Sequence, residues 1–234
     1  MSDAVPSASS AERIAVVVVT YNRRALLLDC LAALCAQSRA PDHLLVVDNA
    51  STDGTEAAVA AAGFLARDDF EYLRLPDNRG GAGGFAAGLA HALAAGADRV
   101  WMMDDDALPA PDALERLLDA ARGARDVYGS VAIAGERLAW AMQLVADGRR
   151  VLDPETLPAV AEVGFLPFLG ILVPAALVAD IGLPEAGYFL AADDLEFCLR
   201  ARAAGARMWL VAASRIAHPP SVTYEFGVPG LRLH

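Results

Sequence analysis

Three consecutive aspartates, Asp104, Asp105 and Asp106, follow an apolar run and precede a proline turn in the stretch WMMDDDALP. Like charges this close repel one another by on the order of 1 kcal/mol per pair in a partly desolvated place, and a divalent cation removes that repulsion. Alternate residues at an extended strand end can converge on one ion, which favours Asp104 and Asp106 as ligands of Mg²⁺ or Mn²⁺. The alternative interpretation is a solvated loop with aspartates as turn formers.

A second acidic cluster lies in the stretch AADDLEFCLRARAAG. Part of it has a structural explanation, because Asp193 followed by Glu196 resembles a capping box, and Glu196 can pair with Arg200 one helical turn later. These roles leave Asp194 unexplained, and a carboxylate in the first helical turn beside two other acids is a candidate general base. Neighbouring charges would raise the pKa of Asp194, whereas the helix N-terminus would lower it, and the sequence leaves both outcomes open.

His218 follows the last predicted strand in the stretch SRIAHPP, next to two prolines that fix the local chain. Its imidazole could complete the metal site at the end of that strand. The alternative is a purely structural histidine, which is the commoner role of an isolated one. We interpret the other three histidines as structural, namely His43, His91 and His234.

The glycine cluster NRGGAGGFAAG allows two interpretations. Gly81, Gly83 and Ala86 satisfy the pattern GxGxxA, and Asp104 lies about twenty residues further on, as in a dinucleotide-binding unit. That fingerprint normally occupies the first strand-helix turn, however, where this chain has TYNRR without a glycine. The same glycines can instead let the backbone approach a ligand such as a metal-bound diphosphate.

The charge composition excludes several chemistries. All 19 basic residues are arginines, and with 30 acidic residues the formal net charge is −11. Without lysine there is no Schiff-base catalysis, no P-loop of the GxxxxGK type and no lysine-dependent nucleotidyl transfer. We also predict no nucleic-acid partner, because phosphate contacts supply most of that affinity. A phosphate-bearing ligand would need arginines, backbone amides or a metal ion.

The elements that must position these residues alternate between strands and helices. Continuous β-branched or apolar runs predict strands at 14–19, 44–47, 72–75 and 99–103, and helical spacing predicts helices at 24–36, 56–64 and 84–95. This alternation implies right-handed βαβ units and a doubly wound, mostly parallel α/β sheet of the Rossmann-like kind, flanked by helices. Ligands bind such sheets at the carboxyl ends of the strands, where the polar clusters stand.

The second half of the chain is less regular. We predict a helix after Pro111 to about 122, mixed strands within 128–166, a helix at 193–204 that ends at Gly205, and a strand at 208–212. The uncharged segment 163–179 is the only membrane candidate, but prolines and glycines interrupt it. We interpret it as a buried strand leading into a helix after Pro174, so no transmembrane segment is predicted.

Five stretches together carry a specific resemblance. They follow one another across 13–220 and are VVVVTYNRRALLLDCLAAL, LLVVDNASTDGT, LPDNRGGAGGFAAGL, WMMDDDALP and GYFLAADDLEFCLRARAAGARMWLVAASRIAHPP. In order and spacing they resemble the inverting family 2 glycosyltransferases with the GT-A fold. Within that family the chain looks most like the galactofuranosyltransferases and the bacterial rhamnosyltransferases, which share NxGGxGGF and a DDD motif.

The resemblance implies a role for each matching position. Asp104, Asp106 and His218 would hold Mn²⁺ or Mg²⁺, Asp194 would be the catalytic base, and Asp193 would orient an acceptor hydroxyl. Thr20, Tyr21 and Arg23 would shape the nucleotide pocket, and Asp48 would contact the base or ribose. The full donor-binding set that the resemblance implies is Thr20, Tyr21, Arg23, Asp48, Asn78, Gly80, Gly81, Gly84 and Asp105.

The resemblance also implies the reaction. A metal ion would neutralise the leaving nucleoside diphosphate while Asp194 takes the proton of the attacking hydroxyl, and one displacement would invert configuration. The donor would be a UDP- or dTDP-linked sugar of the galactofuranose or rhamnose class, and the acceptor a glycan or lipid-linked glycan in cell-envelope polysaccharide synthesis. A dinucleotide-dependent oxidoreductase and a catalytically inactive nucleotide-sugar-binding module are the alternatives.

The domain organisation is predicted to be simple, because no linker or internal repeat interrupts the chain. We expect one GT-A domain at 13–220, with a nucleotide-sugar-binding half at 13–106 and an acceptor and catalytic half at 107–220. Flexible tails are expected at 1–12 and 221–234, and the first lacks the features of a signal peptide. Three cysteines without CxxC indicate reduced thiols. We therefore expect a cytoplasmic protein, with peripheral association at the inner face of the cell membrane.

Overall fold

The first half of the molecule is a parallel four-stranded unit. The computed structural model describes residues 12–219, 224–225 and 232–233. Its first four strands lie in the order β3-β2-β1-β4, and every neighbouring pair among them is parallel. All seven residues of β1 are buried, as in a central strand covered on both faces. The strands are β1 (Ile14–Thr20), β2 (His43–Asp48), β3 (Phe70–Arg74) and β4 (Arg99–Asp104).

Three helices connect these strands, at the places that the spacing predicts. They are α1 (Arg24–Cys35), α2 (Thr55–Ala61) and α3 (Gly80–Ala94), with a 3-10 helix (Phe64–Ala66) after α2. Helix α3 begins at Gly80 and not at the predicted Gly84, so most of the glycine cluster is itself helical. Packing of α3 on β1 and β2 overrides the low helix propensity of glycine.

The second half extends the sheet beyond β4 with strands of both directions. Strand β11 runs antiparallel to β4 and β6, β12 runs parallel to β6, and β10 pairs antiparallel with β12. The prediction of an α/β fold with a parallel first half and a mixed-strand second half is confirmed, and the sheet as a whole is mixed. Its elements are β5 (Leu108–Pro109), α4 (Ala113–Ala120), β6 (Val127–Ala134), β7 (Arg137–Leu138), β8 (Met142–Gln143), β9 (Arg150–Val151), β10 (Val160–Val163), β11 (Ile171–Pro174), α5 (Ala175–Ile181), α6 (Asp193–Ala203), β12 (Met208–Ala217), β13 (Tyr224–Glu225) and β14 (Arg232–Leu233).

Helices cover both faces of the sheet. Helices α3, α5 and α6 contribute side chains to the core on one face, including the fully buried Phe197. Helices α1, α2 and α4 contribute to the core on the other face, where Leu27, Leu31 and Leu114 are fully buried. The central strands are therefore held rigidly, and their carboxyl ends present a fixed edge to ligands.

Strand β12 is longer than predicted and carries His218 to its position. It runs to Ala217, with an irregularity between Val211 and Arg215. At that irregularity the buried Ser214 hydroxyl lies 2.8 Å from the Ser130 hydroxyl and donates to the Ala113 carbonyl at 2.8 Å. The His218 amide then donates to the Ile133 carbonyl of β6, which fixes the chain just after the strand.

The uncharged segment 163–179 contains β11 and the start of α5, as predicted. Among the residues that the structure describes, no helix is long and apolar enough to cross a membrane. Of the predicted tails, 1–12 is described only at Glu12, and 221–234 only at β13 and β14. The predicted division at residue 106 falls in the turn after β4 and stays a prediction.

Candidate active site

A cleft of about 340 Å³ opens at the carboxyl ends of β1, β2 and β4, beside the first turn of α3. This is the edge of the sheet where the sequence predicts a ligand site. Ten of the fourteen predicted site residues line the cleft, namely Thr20, Tyr21, Arg23, Asn78, Gly80, Gly81, Asp104, Asp105, Asp106 and His218. The other four predicted residues, Asp48, Gly84, Asp193 and Asp194, do not line it.

Asp104, Asp105 and Asp106 form an acidic turn at the end of β4, and Asp105 is its buried member. Its side chain accepts a hydrogen bond of 2.7 Å from the Thr20 hydroxyl at the end of β1. Arg23 Nη1 lies 3.3 Å from its other oxygen. Burial raises the pKa of Asp105 to about 6, although both partners favour the charged form.

Asp106 divides its two carboxylate oxygens between two partners. Oδ2 accepts a hydrogen bond of 2.9 Å from Arg23 Nη1, and Oδ1 lies 3.4 Å from His218 Nε2. Burial alone would raise the pKa of Asp106, but His218 and Arg23 hold it below its usual value. Within the described part of the chain, Asp106 Oδ1 and His218 Nδ1 are both buried without a hydrogen-bond partner. Buried polar atoms without a partner are uncommon, so each of the two has unused capacity for a further polar contact.

Asp104 completes the acidic turn. Burial and the charges of Asp106 and Asp105 raise its pKa well above the usual value, and Asp193 adds to the effect. Among the described residues, no three acidic, histidine or cysteine side chains form a ready-made metal site. The chemistry of Asp104, Asp106 and His218 nevertheless fits a divalent cation, because crowded carboxylates and an imidazole nitrogen are ligands of Mn²⁺ and Mg²⁺.

The first turn of α3 forms the wall opposite the acidic turn. Gly80 has a φ of +69°, and a Cβ there would lie 1.9 Å from the Phe189 carbonyl oxygen. That oxygen accepts a hydrogen bond from the Ala82 amide, so the segment after the 3-10 helix (Ala186–Tyr188) is held against the helix start. Asn78 fixes the turn, because its Oδ1 accepts from the Gly80 amide at 2.8 Å.

Asn49, Phe189 and Leu190 line the cleft although none of them was predicted from the sequence. Asn49 is buried, donates to the Gly80 carbonyl at 3.1 Å and accepts from the Arg79 amide at 3.3 Å. Its position directly after β2, beside Asp48, is the signal that could have identified it. Phe189 and Leu190 come from an irregular segment and carry no comparable signal.

Asp48 and Gly84 lie outside the cleft that the other donor-binding candidates line. Asp48 is fully buried; its Oδ2 accepts from the Tyr72 hydroxyl at 2.9 Å and pairs with Arg74, and its Oδ1 accepts from the Ser51 amide. Both oxygens are therefore already engaged. Gly84 faces the sheet, where a Cβ would lie 2.5 Å from Val19 Cγ1. Direct donor contacts of both residues stay predictions.

The start of α6 carries the predicted base. Asp194 is half-buried, and its Oδ1 accepts a hydrogen bond of 2.7 Å from the Leu195 amide. Burial raises its pKa to about 6, which outweighs that hydrogen bond and leaves the neighbouring charge as a smaller contribution. Burial also raises the pKa of Asp193.

The predicted capping box at α6 is absent. Ala192, with a φ of +70°, occupies the N-cap position, and Asp193 is the first helical residue with no side-chain cap bond. The predicted pair of Glu196 and Arg200 is present, with Arg200 Nη2 donating to Glu196 Oε2 at 2.8 Å. Asp193 therefore does not cap the helix, although the sequence predicts that it would.

Comparison with known proteins identifies the family. A model described as Glycosyl transferase family 2 matches residues 15–149. Galactofuranosyltransferase GlfT1 of Mycolicibacterium smegmatis is 32% identical over 238 residues, which cover 95% of this chain and 76% of that protein. The same name belongs to a Mycobacterium tuberculosis relative that is 33% identical over 223 residues, covering 89% of this chain and 70% of that protein.

Solved glycosyltransferases share the fold. The mannosyltransferase PcManGT from Pyrobaculum calidifontis, in complex with GDP-Man and Mn²⁺, has a TM-score of 0.67 at 23% identity over 92% of this chain. GalNAc-T7 with UDP, GalNAc and Mn²⁺ has a TM-score of 0.72 at 13% identity over the same share. The chain spans 59% and 44% of these two structures, so it is similar to part of each.

The alternative of a dinucleotide-dependent oxidoreductase does not hold. The glycine cluster starts the third helix of the sheet, not the first strand-helix turn that the dinucleotide fingerprint occupies. The resemblance drawn from the sequence motifs is confirmed by both the family model and the relatives. The chain belongs to glycosyl transferase family 2 and is a glycosyltransferase of the GT-A fold.

Proposed function

We propose that the chain is a metal-dependent inverting galactofuranosyltransferase, which moves galactofuranose from a UDP-linked donor to a hydroxyl of a glycan or lipid-linked glycan in cell-envelope polysaccharide synthesis. The identity of 32% to a galactofuranosyltransferase over most of both chains supports the sugar and the pathway class. The observation that carries the proposal is the cleft itself. It combines crowded carboxylates, an imidazole and the first turn of a glycine-rich helix at the carboxyl ends of the strands.

The donor diphosphate fits between the acidic turn and the start of α3. Gly81 lines the cleft, and a Cβ at this position would meet no other atom within 4 Å, so the backbone there is open to a ligand. The positive end of the helix favours a phosphate at that place. Asp104, Asp106 and His218 would hold the Mn²⁺ or Mg²⁺ ion, which supplies a Lewis acid for the leaving diphosphate.

Asp194 is suited to the role of general base. With a pKa of about 6 its carboxylate is mostly deprotonated at neutral pH, yet it is basic enough to accept the proton of an attacking hydroxyl. Asp193, one residue earlier and buried, is suited to orient that hydroxyl. Attack from the face opposite the diphosphate would invert the anomeric configuration in one displacement.

The proposal is tested by transfer with the purified chain. UDP-galactofuranose and a synthetic glycan acceptor are incubated with Mn²⁺ or with EDTA, and dTDP-rhamnose serves as the competing donor. We expect transfer only from the galactofuranose donor and only with metal. Asp194→Asn should abolish transfer and retain UDP binding, whereas Asp147→Asn, in an exposed turn, should not change the rate. UDP binding without release of any sugar from the wild type would support the inactive binding module instead.

The acceptor side of the site supports a lipid-linked glycan and a location at the inner face of the cell membrane. Three leucines in and just before α6 are exposed, Leu190 to 77%, Leu195 to 43% and Leu199 to 54%, and the last two lie one helical turn apart. Clustered exposed apolar side chains mark binding surfaces for apolar partners. Substitution of Leu190 and Leu199 by serine should raise the KM for a lipid-linked acceptor and leave the KM for a short soluble acceptor unchanged. An equal effect on both acceptors would contradict this part of the proposal.

A further inference from the structure

Among the described residues that line the cleft, Arg23 is the only arginine. A single nitrogen of its guanidinium, Nη1, reaches both Asp105 at 3.3 Å and Asp106 at 2.9 Å. These are the only side-chain hydrogen bonds that Arg23 makes within the described part of the chain. Its side chain is 53% exposed, so the guanidinium can leave the acidic turn without disturbing the core.

The two aspartates are held very differently. Asp105 is buried and has a second hydrogen-bond donor besides Arg23, the Thr20 hydroxyl. Within the described residues, the one hydrogen bond from a side chain to Asp106 comes from Arg23 to Oδ2, and His218 Nε2 lies 3.4 Å from Oδ1 without a hydrogen bond. A cation bound through Asp106 would therefore lie one carboxylate away from the guanidinium. Like charges at that separation repel each other strongly where water is partly excluded.

We propose that Arg23 is the counter-ion of the acidic turn in the metal-free protein and moves to the donor diphosphate when the metal binds. The inference rests on the proposed metal site. It makes metal and nucleotide binding cooperative, because the cation displaces Arg23 from Asp106 and the diphosphate then provides a new partner for it. Metal alone must displace Arg23 without that compensation, so it binds weakly.

Arg74, at the same edge of the sheet, is a counter-ion that is held in place, in contrast to Arg23. It pairs with the buried Asp48 and also donates to the Ser51 carbonyl at 2.8 Å, so its guanidinium is held by two elements. Arg23 lacks such an anchor. Both are charged arginines near a buried carboxylate, but only Arg23 is placed to exchange partners.

The test measures Mn²⁺ binding without catalysis, from the loss of the free Mn²⁺ signal in electron paramagnetic resonance, with and without UDP. For the wild type we expect UDP to tighten Mn²⁺ binding at least about tenfold, within the usual range of coupling between two ligands. Arg23→Gln should bind Mn²⁺ alone about tenfold more tightly than the wild type and lose most of that coupling. Arg23→Lys keeps the charge and should bind Mn²⁺ alone weakly, as the wild type does.

The neighbouring arginine provides a matched control. Arg24 bonds to Asp53 and does not line the cleft, so Arg24→Gln removes the same charge one residue away. Equal tightening in Arg24→Gln and Arg23→Gln would overturn the inference in favour of a general field effect, and so would unchanged Mn²⁺ binding in Arg23→Gln. If no form binds Mn²⁺ even with UDP, the proposed metal site itself is wrong. If Arg23→Gln does not fold, the wild type itself is the test, and equally tight Mn²⁺ binding with and without UDP overturns the inference.

Discussion

Gly88 lies where α3 crosses β1, and an alanine there would have no room. A Cβ at Gly88 would lie 2.4 Å from Val17 Cγ1 and 2.9 Å from Val47 Cγ2. Both valines are fully buried in strands and stiff about χ1, so overpacking of this kind costs about 1–3 kcal/mol. The gain in helix propensity returns up to about 1 kcal/mol. We expect Gly88→Ala to lower the free energy of unfolding by up to about 2 kcal/mol.

Gly81→Ala is the matched control in the same helix. A Cβ at Gly81 would meet no other atom within 4 Å, so this variant should be as stable as the wild type or up to about 1 kcal/mol more stable. Urea denaturation followed by circular dichroism measures both. Because Gly80 and Gly81 line the cleft, a shift of α3 in Gly88→Ala should also weaken UDP binding. Equal stability of the two variants would refute the packing argument.

Three further predictions concern Asp194, Ala192 and Asp48. Transfer should fall about tenfold per pH unit below about 6, because only the deprotonated Asp194 accepts a proton; a flat pH–rate profile between 5 and 7 would contradict this. Ala192→Gly should raise the free energy of unfolding by about 1 kcal/mol in thermal denaturation, because Ala192 has a φ of +70°. Asp48→Asn should lower it by about 2 kcal/mol, because Tyr72 and Arg74 lose a charged partner, and adding Arg74→Gln should cost less than the sum of the two single changes.

The parallel half of the fold was predictable because its strands are continuous apolar runs. The run from Ile14 to Val19 leaves no interpretation other than a strand buried on both faces, and the structure agrees. Once the strands are known, the rule that ligands bind at their carboxyl ends locates the cleft. This is why Thr20, Asp104 and their neighbours were correctly placed together without any knowledge of side-chain positions.

The contacts that the sequence does not reveal join distant segments. The resemblance implies a donor contact for Asp48, and the structure adds an ion pair, because parallel pairing of β2 and β3 brings Arg74 opposite it. Phe189 enters the cleft because Gly80 leaves space for its carbonyl. Neither relation is visible in local periodicity. The early start of α3 has the same origin, since packing on the sheet stabilises a helix that glycine propensity disfavours.

The acidic turn and Asp48 show two ways of keeping negative charge at a buried sheet edge. Asp48 has two donors fixed on β3 and a backbone amide, so its charge is satisfied within the protein. In the acidic turn one exposed guanidinium contacts both Asp105 and Asp106, and burial together with the charges of Asp106 and Asp105 raises the pKa of Asp104. An uncompensated buried charge costs several kcal/mol unless it is protonated or paired. The cleft therefore has too little positive charge to balance its carboxylates, and the proposed metal ion would supply the missing charge.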